Sequence, residues 1–143
     1  MRVNQETSVS IRFETDVPEY LPSDFLSGDY SIRLTPDDEV QAIEASVIWV
    51  TEGKGEEDIG VHFFQRRNRN AINQDTLSQP QRFSTVLPAS PRTYAGKILK
   101  VHWCVRVRLF LVSGHEITKD REFILGRCGI PVSPEVVEDS ESN

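Results

Sequence analysis

The chain has 143 residues, of which 38% are hydrophobic and 27% charged, and this length and composition predict one globular domain, neither disordered nor fibrous. Its formal charge is −6, but residues 134–143 hold four acids and no base, which leaves only about −2 for the rest of the chain. A nearly neutral body excludes a dedicated nucleic-acid binder, because such proteins need a basic surface to displace counterions from the phosphates.

Runs of alternating apolar and polar residues follow one another along the chain, separated by clusters of Gly, Pro, Asp and Asn. No stretch of ten or more residues shows helical period, so the pattern predicts strands throughout. The run at 42–51 is apolar on both parities in its second half, as in a central strand covered on both faces. In chain order, the first five predicted strands are residues 8–14, 30–34, 42–51, 59–63 and 83–87.

The connections between these strands are predicted from their turn-forming residues. Gly28-Asp29 is interpreted as leading into the second strand at Tyr30, and the hydrophilic residues 52–58, with two glycines, are interpreted as a flexible loop. Residues 68–79 have little pattern and are predicted to form a long loop with one short helical turn.

The strongest signal is the alternation over residues 97–112, where seven consecutive odd positions are apolar. A helix would distribute these residues around its axis, so the pattern predicts one long strand with a bend or bulge partway. Ser113-Gly114 is predicted to be a hairpin turn, after which a last strand returns through Ile117, Phe123 and Leu125.

About seven strands without βαβ alternation predict an all-β, immunoglobulin-like two-sheet β-sandwich. The sandwich is expected to occupy residues 8–131, with a flexible N-terminus at 1–7 and an acidic disordered tail at 132–143. Two cysteines, Cys104 and Cys128, are too few for a disulfide framework and are interpreted as free thiols. Without a secretion signal or an apolar membrane span, the chain is expected to be cytoplasmic and not an integral membrane protein.

Residues that could carry chemistry do not form a recognisable set. His102 and Cys104 share a strand face, but two ligands are too few for zinc, so no metal or cofactor is expected. There is no G-x-S-x-G elbow and no Walker sequence, and paired loop acids such as Glu56-Glu57 are more simply interpreted as hydrated. The sequence therefore predicts a protein that is not an enzyme.

The basic residues are grouped, which leaves two interpretations open. One is cross-strand pairing, because Glu116, Asp120 and Glu122 fall on the matching face of the returning strand. The other is a docking surface for a protein partner, anchored by arginines and an aromatic ring. The residues of that candidate partner-binding face are Arg106, Arg108, Phe110, Lys100, Arg66 and Arg67.

Three landmarks along the chain resemble the N-terminal half of an arrestin-type domain, the sandwich also found in Vps26-like and sporulation-control proteins. They are Pro22 with Phe25-Leu26-Ser27-Gly28 before a strand, the buried run at 44–53 ending in a glycine, and Phe83-Ser84-Thr85-Val86-Leu87-Pro88 followed by Ser90-Pro91-Arg92-Thr93-Tyr94-Ala95-Gly96 and the long strand. The resemblance covers residues 8–126. An arrestin proper has two such domains, this chain has length for one, and no PPxY motif is found.

The resemblance implies a non-enzymatic scaffold or adaptor of arrestin-like type, and its protein partner is left unidentified. Two alternatives stay open: a structural sandwich that associates weakly with itself through an exposed edge strand, and a small-ligand or carbohydrate binder that uses Trp49 or Trp103. Both tryptophans lie on apolar parities, which favours the core for each.

Removal of residues 134–143 is expected to leave the thermal midpoint almost unchanged, because so polar a segment cannot bury enough surface to be ordered. Differential scanning calorimetry of the full and shortened chains checks this. A decrease of several degrees would show that the tail docks on the domain.

Overall fold

The computed structural model describes residues 6–126. Residues 1–5 and 127–143, which include Cys128 and the acidic tail, lie outside the described residues. Within 6–126 there are nine strands, of which seven have at least six residues, and two 3-10 turns at Arg69–Ala71 and Gln74–Thr76. The strands are β1 (Ser8–Phe13), β2 (Glu19–Tyr20), β3 (Phe25–Arg33), β4 (Val40–Gly53), β5 (Glu56–Asn68), β6 (Gln81–Val86), β7 (Tyr94–Ala95), β8 (Leu99–Leu111) and β9 (Glu116–Leu125).

The strands form two sheets, which confirms the all-β sandwich. The small sheet has the order β1-β3-β6, and the large sheet has the order β2-β9-β8-β4-β5, with β7 beside the start of β8. All pairs are antiparallel except β2 with β9. A side-chain hydrogen bond connects the two sheets: Arg121 of β9 donates to the Ile11 carbonyl of β1 at 2.7 Å.

The core lies between the sheets and is built on the alternation of β8. Trp103 is 0% exposed, and the odd positions that follow it are equally buried. The Trp103 indole N–H donates to the Pro91 carbonyl at 2.7 Å, so its polar atom is satisfied although the ring is buried. The predicted long strand is therefore confirmed, and so is the core position of Trp103; Trp49, half-buried, packs against it with 5.2 Å between ring centroids.

The central strand predicted at 42–51 is also confirmed, because β4 has β5 on one side and β8 on the other. Ile43 and Val47 of β4 belong to the core between the sheets. Ile48 and Val50 are equally buried on the opposite face, where they form a second apolar cluster with Cys104. Odd and even residues of this part of β4 are both apolar because the side chains on both faces of the sheet are buried there.

The predicted start of the second strand at Tyr30 is wrong. Strand β3 begins at Phe25 and includes Gly28 and Asp29, with Gly28 opposite Phe13 of β1. A Cβ on Gly28 would lie 2.3 Å from the Arg12 carbonyl oxygen. The glycine allows this close approach of two strands, and it was not recognised as a strand residue because glycine also marks connections.

The flexible loop predicted at 52–58 is also wrong. Strands β4 and β5 extend through its acidic residues and are joined by Lys54-Gly55 alone, at φ values of 52° and 80°. Two positive φ angles are typical of a tight two-residue hairpin turn. The acidic residues belong to the strands and face solvent. Their polar character therefore reflects exposed strand positions and does not indicate a loop.

A bulge was expected in the long strand, but the extra residues lie in β4, its neighbour, and in β5, on the far side of β4. Gln41 is the extra residue of β4 against β8, and His62 is the extra residue of β5 against β4. The hairpin turn at Ser113-Gly114 is confirmed, with Gly114 at φ 100°. The long loop at 68–79 holds two helical turns where one was predicted.

Replacement of Gly60 by alanine is expected to destabilise the domain by about 1–3 kcal/mol, as is typical of overpacking. Its Cβ would lie 2.1 Å from the ring of Trp49, which faces Gly60 across β4 and β5. Urea unfolding of Gly60→Ala, Trp49→Leu and the double variant measures the coupling. The loss should shrink in the Trp49→Leu background; an equal loss in both backgrounds would contradict the contact.

Candidate partner-binding face

The outer face of the large sheet, turned away from the small sheet, is where the predicted site falls. It carries the even positions of β8, because the odd positions are in the core. The predicted partner-binding residues on this face are Lys100, Arg106, Arg108 and Phe110 along β8, and Arg66 on β5.

Cross-strand ion pairs join β8 to β9 on this face. Arg106 donates to both carboxylate oxygens of Asp120, at 2.8 and 2.9 Å, and this bond raises the pKa of the Arg106 guanidinium above its ordinary value. Arg108 donates through Nε to Glu116 at 2.7 Å. The cross-strand pairing interpretation is thus confirmed, and such partly exposed pairs contribute about 0–1 kcal/mol each.

Phe110 is held between two arginines, in an arrangement called here the Phe110 cluster (Glu44, Arg66, Arg108 and Phe110). The guanidinium carbons of Arg66 and Arg108 lie 5.4 and 5.1 Å from the ring centroid, within cation–π range. Glu44 of β4 accepts from Arg66 and lies 3.6 Å from Arg108. Three neighbouring strands therefore contribute one connected patch of charge and aromatic surface.

Three predicted residues lie outside this cluster: Arg106, which pairs with Asp120, Lys100 and Arg67. Lys100 is on the same face, but ten residues along β8 from Phe110, which is roughly 33 Å at the rise of a strand. Arg67 points the other way, toward the small sheet, where it donates to Gln81 at 2.7 Å. The placement of Arg67 beside Arg66 in the partner-binding face was wrong, because neighbouring residues of a strand face opposite sides.

Three apolar side chains of β5 extend the outer face and were missed as surface residues. Ile59, Val61 and Phe64 are 50%, 56% and 54% exposed. The alternation at 59–63 suggested one inward face, but Phe63 packs on the core while Ile59 and Val61 lie outward, because the extra residue His62 shifts the alternation. The adjacent pair Phe63-Phe64, which breaks the alternation, was the available signal.

Two histidines near this face contact groups on other strands. His62 donates through Nε2 to the Val86 carbonyl of the small sheet at 2.7 Å. His102 Nε2 lies 3.4 Å from Glu52, on the adjacent strand. Within residues 6–126, no three of the His, Cys, Asp and Glu side chains are grouped as a metal site would require.

Cys104 is buried in the apolar cluster under the outer face, beside Ile48. Burial raises the pKa of its thiol to about 12, because the thiolate would lose hydration. A protonated, buried thiol is a packing residue and a poor nucleophile.

No known protein-family profile matches the chain, and no curated protein sequence matches it. Solved structures do. The crystal structure of Spo0M, a sporulation control protein from Bacillus subtilis, is similar with a TM-score of 0.60 at 12% identity, over 87% of this chain and 51% of that chain. The chain has the arrestin-like fold. It spans about half the length of Spo0M.

A β-glucosidase from Listeria innocua in complex with gluconolactone is also similar, over 85% of this chain and 16% of that chain, at 14% identity. Its TM-score of 0.37 is too low to support an inference. The arrestin-like fold agrees with the resemblance drawn from the sequence motifs.

None of the helices within residues 6–126 is long and apolar enough to span a membrane.

Cys104 is expected to resist alkylation by iodoacetamide in the folded protein at pH 8. With a pKa of about 12, roughly one thiol in ten thousand is ionised at that pH. Mass spectrometry of a Cys128→Ser variant, in buffer and in urea, isolates the reaction of Cys104. Rapid alkylation in buffer would contradict its burial.

Proposed function

We propose that this chain is a non-enzymatic protein-interaction module of arrestin-like type that binds a protein partner on the outer face of the large sheet. The observation that carries this proposal is the juxtaposition, on one sheet face, of the Phe110 cluster and the exposed row Ile59, Val61 and Phe64. Arginine and aromatic side chains are enriched at protein interfaces, and apolar side chains supply the water-excluded centre.

The outer face is suited to binding because its side chains are already ordered. The arginines of β8 are held by carboxylates on the neighbouring strands, and the backbone beneath them is a hydrogen-bonded sheet. Binding to an ordered surface loses less conformational entropy than binding to mobile loops. The partner would present apolar groups to the row on β5 and acidic groups to the arginines, whose existing ion pairs are partly exposed and exchangeable.

The chemistry of the face favours binding over catalysis. The carboxylates of Glu44, Glu116 and Asp120 are engaged by arginines, so they serve as ion-pair partners within the sheet. Cys104, the thiol on this face, stays protonated. A free reduced thiol also agrees with a cytoplasmic location, which we include in the proposal.

A small-ligand or carbohydrate site on the tryptophans has less support. Trp103 is fully buried and its N–H is already bonded, while Trp49 packs against the Trp103 ring and over Gly60. Sugar binding needs an aromatic ring whose face is open to the ligand, and neither ring offers one without repacking the core.

The proposal predicts that the double variant Arg108→Ala/Phe110→Ala loses its partner while it stays folded. Immobilised wild-type protein should retain a partner at near-stoichiometric yield from a lysate of its native source, and the variant should retain at most about a tenth as much, because central anchors dominate interface energy. Quantitative mass spectrometry measures the yield. Circular dichroism confirms the fold of each protein.

The matched control is Arg12→Ala on the small sheet, where Arg12 makes a similar cross-strand ion pair with Asp29 at 2.7 Å. This variant should bind as the wild type does. Equal retention by all three proteins, or loss only in the Arg12 variant, would contradict the assignment of the face.

A further inference from the structure

Strand β5 is a long edge. It has 13 residues and, among residues 6–126, it pairs with β4 alone. Natural edge strands are usually kept short or are protected by proline, charged side chains or bulges, because unpaired N–H and C=O groups attract another strand. Strand β5 carries charges at both ends and one bulge, but it contains no proline, and three apolar side chains are exposed near its middle.

Charge is distributed along β5 in a self-complementary order. Its first three residues are Glu56, Glu57 and Asp58, and Arg66 and Arg67 stand near its end, with the apolar residues between them. A strand that is acidic at one end and basic at the other places opposite charges together when it pairs antiparallel with a copy of itself.

The extra residue His62 makes the two ends compatible on one face. Before it, the outward residues are the odd ones, Glu57, Ile59 and Val61; after it, they are the even ones, Phe64 and Arg66. In a regular strand, an odd and an even residue face opposite sides and could not be opposed across an antiparallel pair. The bulge therefore lets outward acids and outward arginines meet.

We propose that β5 pairs antiparallel with β5 of a second copy of this chain, about a two-fold axis between Val61 and His62. In this register Glu57 lies opposite the partner's Arg66, and Ile59 lies opposite the partner's Phe64. The two bulges meet at the axis, where Val61 and His62 do not form a regular pair. Symmetry repeats each contact, so four outward pairs form and the two large sheets join into one continuous sheet.

A second copy satisfies this edge better than an arbitrary extended peptide does. A peptide of one charge sign would meet like charge at one end of β5, and an apolar peptide would leave both ends unmatched. Other registers are also poorer: a shift by two residues places Ile59 opposite the partner's Arg66 and Glu57 opposite the partner's Asn68. The edge-to-edge dimer goes beyond the proposed function. It shares Arg66, Ile59 and Phe64 with the proposed partner-binding face but leaves the Phe110 ring and the arginines of β8 accessible, so the Arg108→Ala/Phe110→Ala test of partner binding does not change the dimer seam.

Sedimentation velocity of the full chain over a range of concentrations tests the proposal. The wild type is expected to show a monomer–dimer equilibrium that weakens with added salt, since exposed ion pairs are screened. Glu57→Arg and Arg66→Glu should each weaken the dimer by at least about tenfold, because each variant opposes like charges twice. An equimolar mixture of the two variants should dimerise again, since the heterodimer restores both opposite-charge pairs.

Ile59→Lys supplies a test that leaves the Glu44–Arg66 ion pair intact, and thermal melting verifies the fold of every variant. It should also weaken the dimer, whereas Val112→Lys, at an exposed apolar position in the β8–β9 turn, should not. A monomeric wild type at all concentrations, a dimer unaffected by Ile59→Lys, or two folded charge variants whose mixture stays monomeric would overturn the proposal.

Discussion

The pairing of β4 with β8 is the constraint on which the rest of the structure depends. It runs from Val40 opposite Leu111 to Gly53 opposite Leu99, nearly the whole length of both strands. Because side chains alternate along each strand, this register decides at once which residues enter the core. Trp103 and Trp49 meet on the inner side, and Cys104 and Ile48 meet on the outer side.

The same pairing positions everything proposed for function. The Phe110 cluster forms because β5, β4 and β8 lie side by side in a register that opposes Arg66, Glu44 and Arg108. The apolar row on β5 is exposed because β5 is the last strand described on that side of the sheet. The two faces therefore differ: the inner face is buried and aromatic, and the outer face, which we propose for recognition, carries ion pairs that add little to folding.

Much of the difference between the inner and outer faces could be predicted from sequence. The alternation over 97–112 and the run at 42–51, which is apolar at both odd and even positions, follow the burial of those side chains. The features that could not be predicted depend on contacts between strands that are distant in sequence. Glycine is common in turns, but Gly28 allows the close approach of β3 to Arg12 of β1. The acidic residues near Gly53 indicated a loop although they lie on exposed strand positions. The bulge at His62 changes which residues of β5 face outward, and the adjacent pair Phe63-Phe64 signals a break in the alternation without showing which residue is extra. Arg67 was misplaced because it was grouped with Arg66 by its position in the sequence, although adjacent strand residues face opposite sides.

Native-state hydrogen exchange followed by NMR tests the β4–β8 framework most directly. Amides of β4 and β8 that bond to each other, including those around Val47 and Val105, should be the slowest in the domain and should exchange only by global unfolding. Amides of β6 at the edge of the small sheet should exchange faster, through local opening. Exchange from the centre of β4 and β8 that is as fast as exchange from β6 would contradict the account.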